Sequence, residues 1–149
     1  MTTTTTTTPD LAETAAHLRL AITRTARRMR QEAGSELGPS ALAALATIER
    51  AGPLTPSELA KQERVQRPTA TRVIARLVEE GLVTRTADPA DGRCAIVTAT
   101  AEGRVHLRRL RKRKNAYLAR RMRELPEDDV AALERAAEIL ERVLEGERA

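Results

Sequence analysis

The stretch "VQRPTATRVIARL", residues 65–77, decides the fold. Proline suits the first positions of a helix, where its missing N–H costs nothing. Pro68 therefore opens a helix, which ends before Gly81. At about 100° per residue, Ala70, Val73, Ile74, Leu77 and Val78 gather on one side. Thr69, Arg72 and Arg76 gather on the other, with Thr71 on the flank. The apolar side must pack, so the other side points outward with hydroxyls and guanidiniums. Arg67, in front of the proline, falls at the N-cap. Arginine cannot accept the capping hydrogen bond, which gives up about 1 kcal/mol. In exchange a cation sits beside free helix N–H groups, an arrangement that suits a phosphate.

Upstream lies "LTPSELAKQERV", residues 54–65. Thr55 is an N-cap, Pro56 suits the first helical position, and Glu58 completes the capping box. This short helix ends near Arg64, and a brief turn leads to Pro68. Two helices joined by a tight turn make a helix-turn-helix. Downstream, Leu82–Ala87 and Cys94–Ala99 are short β-prone runs around "DPADG", which is dense in turn residues. A hairpin after a helix-turn-helix is a wing. Thr69, Thr71 and Arg72 then fall where base edges are approached in the major groove. Arginine bonds guanine bidentately, and a threonine methyl touches thymine. Arg93, after the turn, is placed to meet the minor groove or a phosphate, with Asp91 orienting it or a nearby cation.

The flanks are helical. Leu11, Ala15, Leu18, Ile22, Ala26, Met29 and Ala33 form one stripe over residues 10–33. Asp10 and Glu13 resemble a capping box, and Gly34 is the stop. Pro39 starts a helix that runs to Gly52. Thr100 caps another, to about Glu124, striped by Leu107, Leu110, Tyr117, Leu118, Met122 and Leu125. Pro126 opens the last, striped by Leu133, Ala137, Leu140 and Leu144. Every charged residue from Arg104 to Arg123 is basic, and acid dominates from Glu124 to Glu147. Two antiparallel neighbours would set these charges side by side. We read them as a solvated, self-complementary pair; a second nucleic-acid surface is the alternative.

The chain has 149 residues, enough for one domain with a core. It has no Trp and no Phe, so that core is aliphatic. The net charge is +5 and the pI about 10.3, which favours an anionic partner, nucleic acid first. A single cysteine, Cys94, excludes an internal disulfide and is expected to be inert packing in the wing. Glu13 and His17 have a metal-sharing spacing, but two ligands do not make a site. No metal, cofactor or membrane partner is expected. No nucleophile–base pair or phosphate loop is visible, so the chain is not expected to be an enzyme. "MTTTTTTTP" lacks a basic n-region and an apolar h-region, so it reads as a disordered tail rather than a signal peptide. A soluble, cytoplasmic location is expected.

The stretch "LTPSELAKQERVQRPTATRVIARLVEEGLVTRTADPADGRCAIVTATAEG" resembles the MarR family of winged-helix transcriptional regulators. The D-x-R of the family wing appears as Asp91-Gly92-Arg93. The L-T-x-x-G element appears as Ala99-Thr100-Ala101-Glu102-Gly103, with Ala99 in place of the usual Leu, which implies looser packing under the wing. The order of helices matches over about residues 10–147. The resemblance implies a mainly α fold with a small β-hairpin wing. Residues 1–9 would be a Thr-rich tail, 10–38 a dimerisation helix, 39–99 the winged helix-turn-helix and 100–149 further dimerisation helices. It also implies a homodimer on palindromic double-stranded DNA. Family members are usually repressors, often relieved by small phenolic or lipophilic effectors or by thiol oxidation. The competing reading is a structural protein that binds nucleic acid without sequence preference.

Overall fold

The computed structural model describes residues 8–147. Of the Thr-rich tail, residues 1–7 lie outside the described residues. The elements in chain order are α1 (Leu11–Ala33), α2 (Pro39–Ala51), α3 (Pro56–Glu63), α4 (Arg67–Glu79), β1 (Val83–Ala87), β2 (Ala95–Ala99), α5 (Ala101–Met122) and α6 (Glu127–Glu145).

Local chemistry sets these boundaries. Asp10 caps α1 by accepting the Ala12 N–H at 3.0 Å. Its carboxylate thus serves the second helical residue, not Glu13 as a capping box would require. Gly34 closes α1 in the left-handed region, φ 68°. Thr55 accepts the Glu58 N–H at 3.2 Å, with Pro56 at the head of α3. Thr100 works twice. It accepts the Gly103 N–H at 3.0 Å and donates to the Gly81 carbonyl at 2.8 Å, fastening α5 to the end of α4.

α2, α3 and α4 pack around Leu45, Ile48, Leu59, Ile74 and Leu77, with Val97 of β2 closing the cluster from the wing side. The hairpin is antiparallel, in register Val83↔Ala99 through Ala87↔Ala95. Leu54 adds a single bridge on the other edge of β2, exchanging two bonds with Val97 at 2.8 and 3.1 Å, so the segment before α3 pins the wing to the core. Ala99 is itself buried, so the smaller side chain still closes the base of the wing.

The flanking helices behave differently. α1 buries only Ala33, and α6 buries nothing. α1 runs along α5, where the Arg113 guanidinium donates to the Ala33 carbonyl at 2.8 Å. Among the described residues the expected pairing of basic α5 with acidic α6 does not form. One short-range pair, Arg121–Glu124 at 3.3 Å, sits at their junction. The basic residues of α5 turn instead to Glu49 of α2 (from Arg111, 3.5 Å) and Glu32 of α1 (from Arg120, 4.0 Å). The connection at 123–126 carries α6 away from α5, so opposite charge along the sequence does not become opposite charge in space. No helix among the described residues is long and apolar enough to cross a membrane.

Candidate nucleic-acid interface

α4 presents its apolar side to the core, with Ala70, Ile74 and Leu77 buried and Val73 half-buried; Val78 is exposed. The helix begins one residue earlier than its sequence suggests. Gln66, not Arg67, is the N-cap: it is extended, and its carbonyl accepts the first helical bonds from Thr69 and Ala70. Arg67 is the first helical residue and Pro68 the second. A proline fits there because the first four N–H groups have no intrahelical acceptor. No side chain caps this end. The positive end of the helix dipole is therefore open, with exposed Arg67 beside it.

The outward residues divide into three kinds. Arg67 and Arg72 are exposed and take part in no ion pair among the described residues. Arg76 is held by Glu80 at 3.3 Å, an exposed pair worth little in water. The two threonines are half-buried flanks. Thr71 donates its hydroxyl to the Arg67 carbonyl at 3.0 Å, which leaves the methyl and a lone pair free. Thr69 turns toward a groove of about 270 Å³ between α2, α3 and α4. The outward face is thus narrower than the wheel suggests.

The wing is ordered by its own carboxylates. The Asp88 N–H donates to the Cys94 carbonyl at 2.8 Å, and the Asp88 carboxylate accepts the Ala90 N–H at 2.9 Å. Asp91 accepts the Arg93 backbone N–H at 3.1 Å. It sets the position of Arg93 through the turn, and the guanidinium stays exposed and unpaired among the described residues. Cys94 is exposed, not packed as expected, because the turn carries it outside the ladder. Its Sγ lies 3.7 Å from Asp91 Oδ2. The Asp91 charge pushes the thiol pKa up; desolvation, the hydrogen bond to Asp91 and the charge of Asp88 act the same way. Only the Arg67 charge pulls it down.

On α5, besides the pairs above, Arg104 donates to the Ala99 carbonyl at 3.1 Å, while Arg108, Arg109 and Lys112 are exposed and in no ion pair among the described residues. Arg64, Arg67, Arg72, Arg85 and Arg93 lie in the α3–α4 turn, at the head of α4 or in the hairpin. All are exposed and in no ion pair among the described residues. Arg64 and Arg85 escape a reading of the sequence. Arg85 sits on a strand whose alternation is weak, "VTRTA", and Arg64 falls in a turn where glycine would be the usual signal.

Between α1, α2 and α5 runs a groove of about 290 Å³. Its floor includes Met29, Leu42 and Leu107, and Arg30, Arg111 and Lys114 stand along it.

The MarR family model matches residues 37–95, from the loop before α2 to the first residue of β2. An HTH-type transcriptional regulator of Mycobacterium leprae is 36% identical over 130 residues, covering 87% of this chain and 91% of that protein. A transcriptional regulator structure from Pseudomonas aeruginosa is 35% identical with a TM-score of 0.81, over 91% of this chain and 98% of that one. FabT of Streptococcus pneumoniae, solved in complex with DNA, shares the fold at 20% identity. Its TM-score is 0.68, over 92% of this chain and 99% of that one.

Proposed function

The chain belongs to the MarR family of transcriptional regulators, and we propose that it is a repressor that binds a palindromic operator as a homodimer and is released by a small ligand. The observation that carries this reading is the open face of the winged domain. Arg67 and Arg72 on α4 and Arg93 on the wing are exposed there and in no ion pair among the described residues. In this reading Arg67 holds a phosphate. Arg72 reads a base, the free methyl of Thr71 flanks it, and half-buried Thr69 borders the face. Arg93 follows the backbone or the minor groove, set by Asp91. Arg76, tied to Glu80, contributes charge at the rim.

Residues 39–99 are then the DNA-binding unit, and residues 10–38 and 100–149 the dimerisation helices. The stripe of α1 leaves Leu11 82% exposed, and that of α6 leaves Leu144 61% exposed. Apolar helix faces this open need a partner, and a second copy satisfies both with one two-fold axis. The same axis presents two recognition helices to a two-fold operator. FabT, of the same fold, was solved with DNA, which supports the same use of the winged domain here. The effector reading rests on the α1–α2–α5 groove, apolar along its floor and cationic at its edge, which suits a small apolar anion.

A mobility shift with excess competitor duplex tests the function. A repressor keeps a preference of about 10³ or more for its operator over random sequence. Equal competition by random duplex would instead favour a structural nucleic-acid binder without sequence preference.

A further inference from the structure

The turn between α3 and α4 breaks a local rule. Arg64 has φ 54° and ψ 44°, and among the described residues it is the one non-glycine with positive φ. The turn is a Schellman motif. The Val65 N–H reaches the Ala60 carbonyl at 3.0 Å, and the Arg64 N–H reaches the Lys61 carbonyl at 3.3 Å. Val65 and Leu59, the two positions whose apolar contact commonly accompanies the motif, line one groove. The left-handed position in such a turn is usually glycine, sometimes asparagine, because a Cβ there crowds the following carbonyl. This chain follows that rule elsewhere, with Gly34 at φ 68° and Gly81 at φ 74°. At position 64 it keeps an arginine.

Nothing among the described residues uses that side chain. Arg64 is exposed and enters no ion pair there. The neighbouring Glu63 carboxylate is engaged by the Thr47 hydroxyl. Strain retained at an exposed residue that enters no ion pair among the described residues points to function. The position supports the same conclusion, three residues before Arg67 and beside the uncapped end of α4, with exposed Lys61 just upstream.

We propose that Arg64 is a DNA-backbone contact, held by the strained turn as a phosphate clamp at the entry to α4. The inference rests on the DNA-binding reading above. A guanidinium matches a phosphate bidentately, and a left-handed turn residue projects from the chain rather than lying along the helix.

The test uses the full-length protein with three variants. Arg64→Gly relieves the strain and removes the charge. Arg64→Asn removes the charge in a residue that tolerates the turn. Arg64→Lys keeps the charge. The Gly variant should melt within about 2 °C of the parent or above it. Its binding to the selected operator and to random duplex should weaken together. The salt slope should fall by about 1.8, or about 0.9 for each of two phosphates no longer neutralised per dimer, so the affinity gap narrows about twelvefold between roughly 50 and 200 mM salt. The Asn variant should bind like the Gly variant, and the Lys variant should keep most of the slope. Gly and Asn variants that bind with the parent's affinity and slope would overturn the inference and leave the DNA-binding reading standing. A Gly variant that melts many degrees lower would overturn it too, by making Arg64 a structural residue. A parent that binds no duplex overturns both.

Discussion

At the scale of single residues, Arg67 and Arg72 should fail differently. Phosphate contacts fix register without reading sequence, whereas base contacts discriminate. Arg67→Ala should weaken operator and random duplex alike and reduce the salt slope by about 0.9 for each phosphate left without its cation. Arg72→Ala should cost about 1–3 kcal/mol at one base pair per half-site and relax the preference there. Titration against the operator, its single-base variants and random duplex separates the two. If both variants lose affinity uniformly, the outward face of α4 is only an electrostatic surface. Cys94 carries a second prediction. Its pKa is raised, chiefly by Asp91, so at a given pH less thiolate is present than for a free cysteine. Alkylation should be correspondingly slow, because the thiolate is the nucleophile. Asp91→Asn should move the pH–rate profile toward lower pH. An unmoved profile would mean that the carboxylate does not hold the thiol protonated.

At the scale of elements, α5 and the wing should divide stability from binding. Arg104 and Arg113 each give a guanidinium to a backbone carbonyl, so alanine there should lower the stability read from urea unfolding by about 1–3 kcal/mol with little loss of operator affinity. Arg93→Ala should do the reverse, since its guanidinium is exposed and unpaired among the described residues. A larger binding loss at Arg104 or Arg113 than at Arg93 would return α5 to the DNA surface. Gly103 gives a further check. A Cβ there would collide with the Leu82 carbonyl oxygen, whereas one at Gly92 meets open space. Gly103→Ala should cost about 1–3 kcal/mol and Gly92→Ala no more than about 0.5 kcal/mol, both read from urea midpoints.

These elements also show what the sequence can carry. Helix starts at Asp10, Thr55 and Thr100 are legible because a cap acts within three residues of itself, and the start at Pro39 because proline suits the first helical position. The hairpin is legible because its turn chemistry is local. Leu54 pairing with Val97 is not, since a single rung between residues far apart in the chain has no period. The start of α4 shifts by one residue because a proline fits both the first and the second helical position. The partners of α5 differ from expectation because charge segregation along the chain says nothing about how a short connection aims the next helix. Arg72 and Arg93 stand out by type and spacing. Arg64 does not, because its signal is a backbone angle.

At the scale of the whole molecule, the proposed reading has a second copy cover the exposed stripes of α1 and α6. The protein should be a dimer at micromolar concentration, with a melting temperature that rises with concentration. Leu144→Asp should weaken dimerisation at least tenfold, given the roughly 1.5–3 kcal/mol carried by one buried leucine. A folded monomer in sedimentation equilibrium would contradict this. On the proposed reading, dimerisation is also what turns one basic face into a reader of symmetric DNA. The most direct measurement is therefore selection of bound duplexes from a random library with the intact protein. The expected result is a two-fold consensus whose half-site centres lie about one helical turn apart, preferred about 10³-fold or more over random sequence. A library that returns no consensus, or a single asymmetric site, would contradict the account of paired recognition helices.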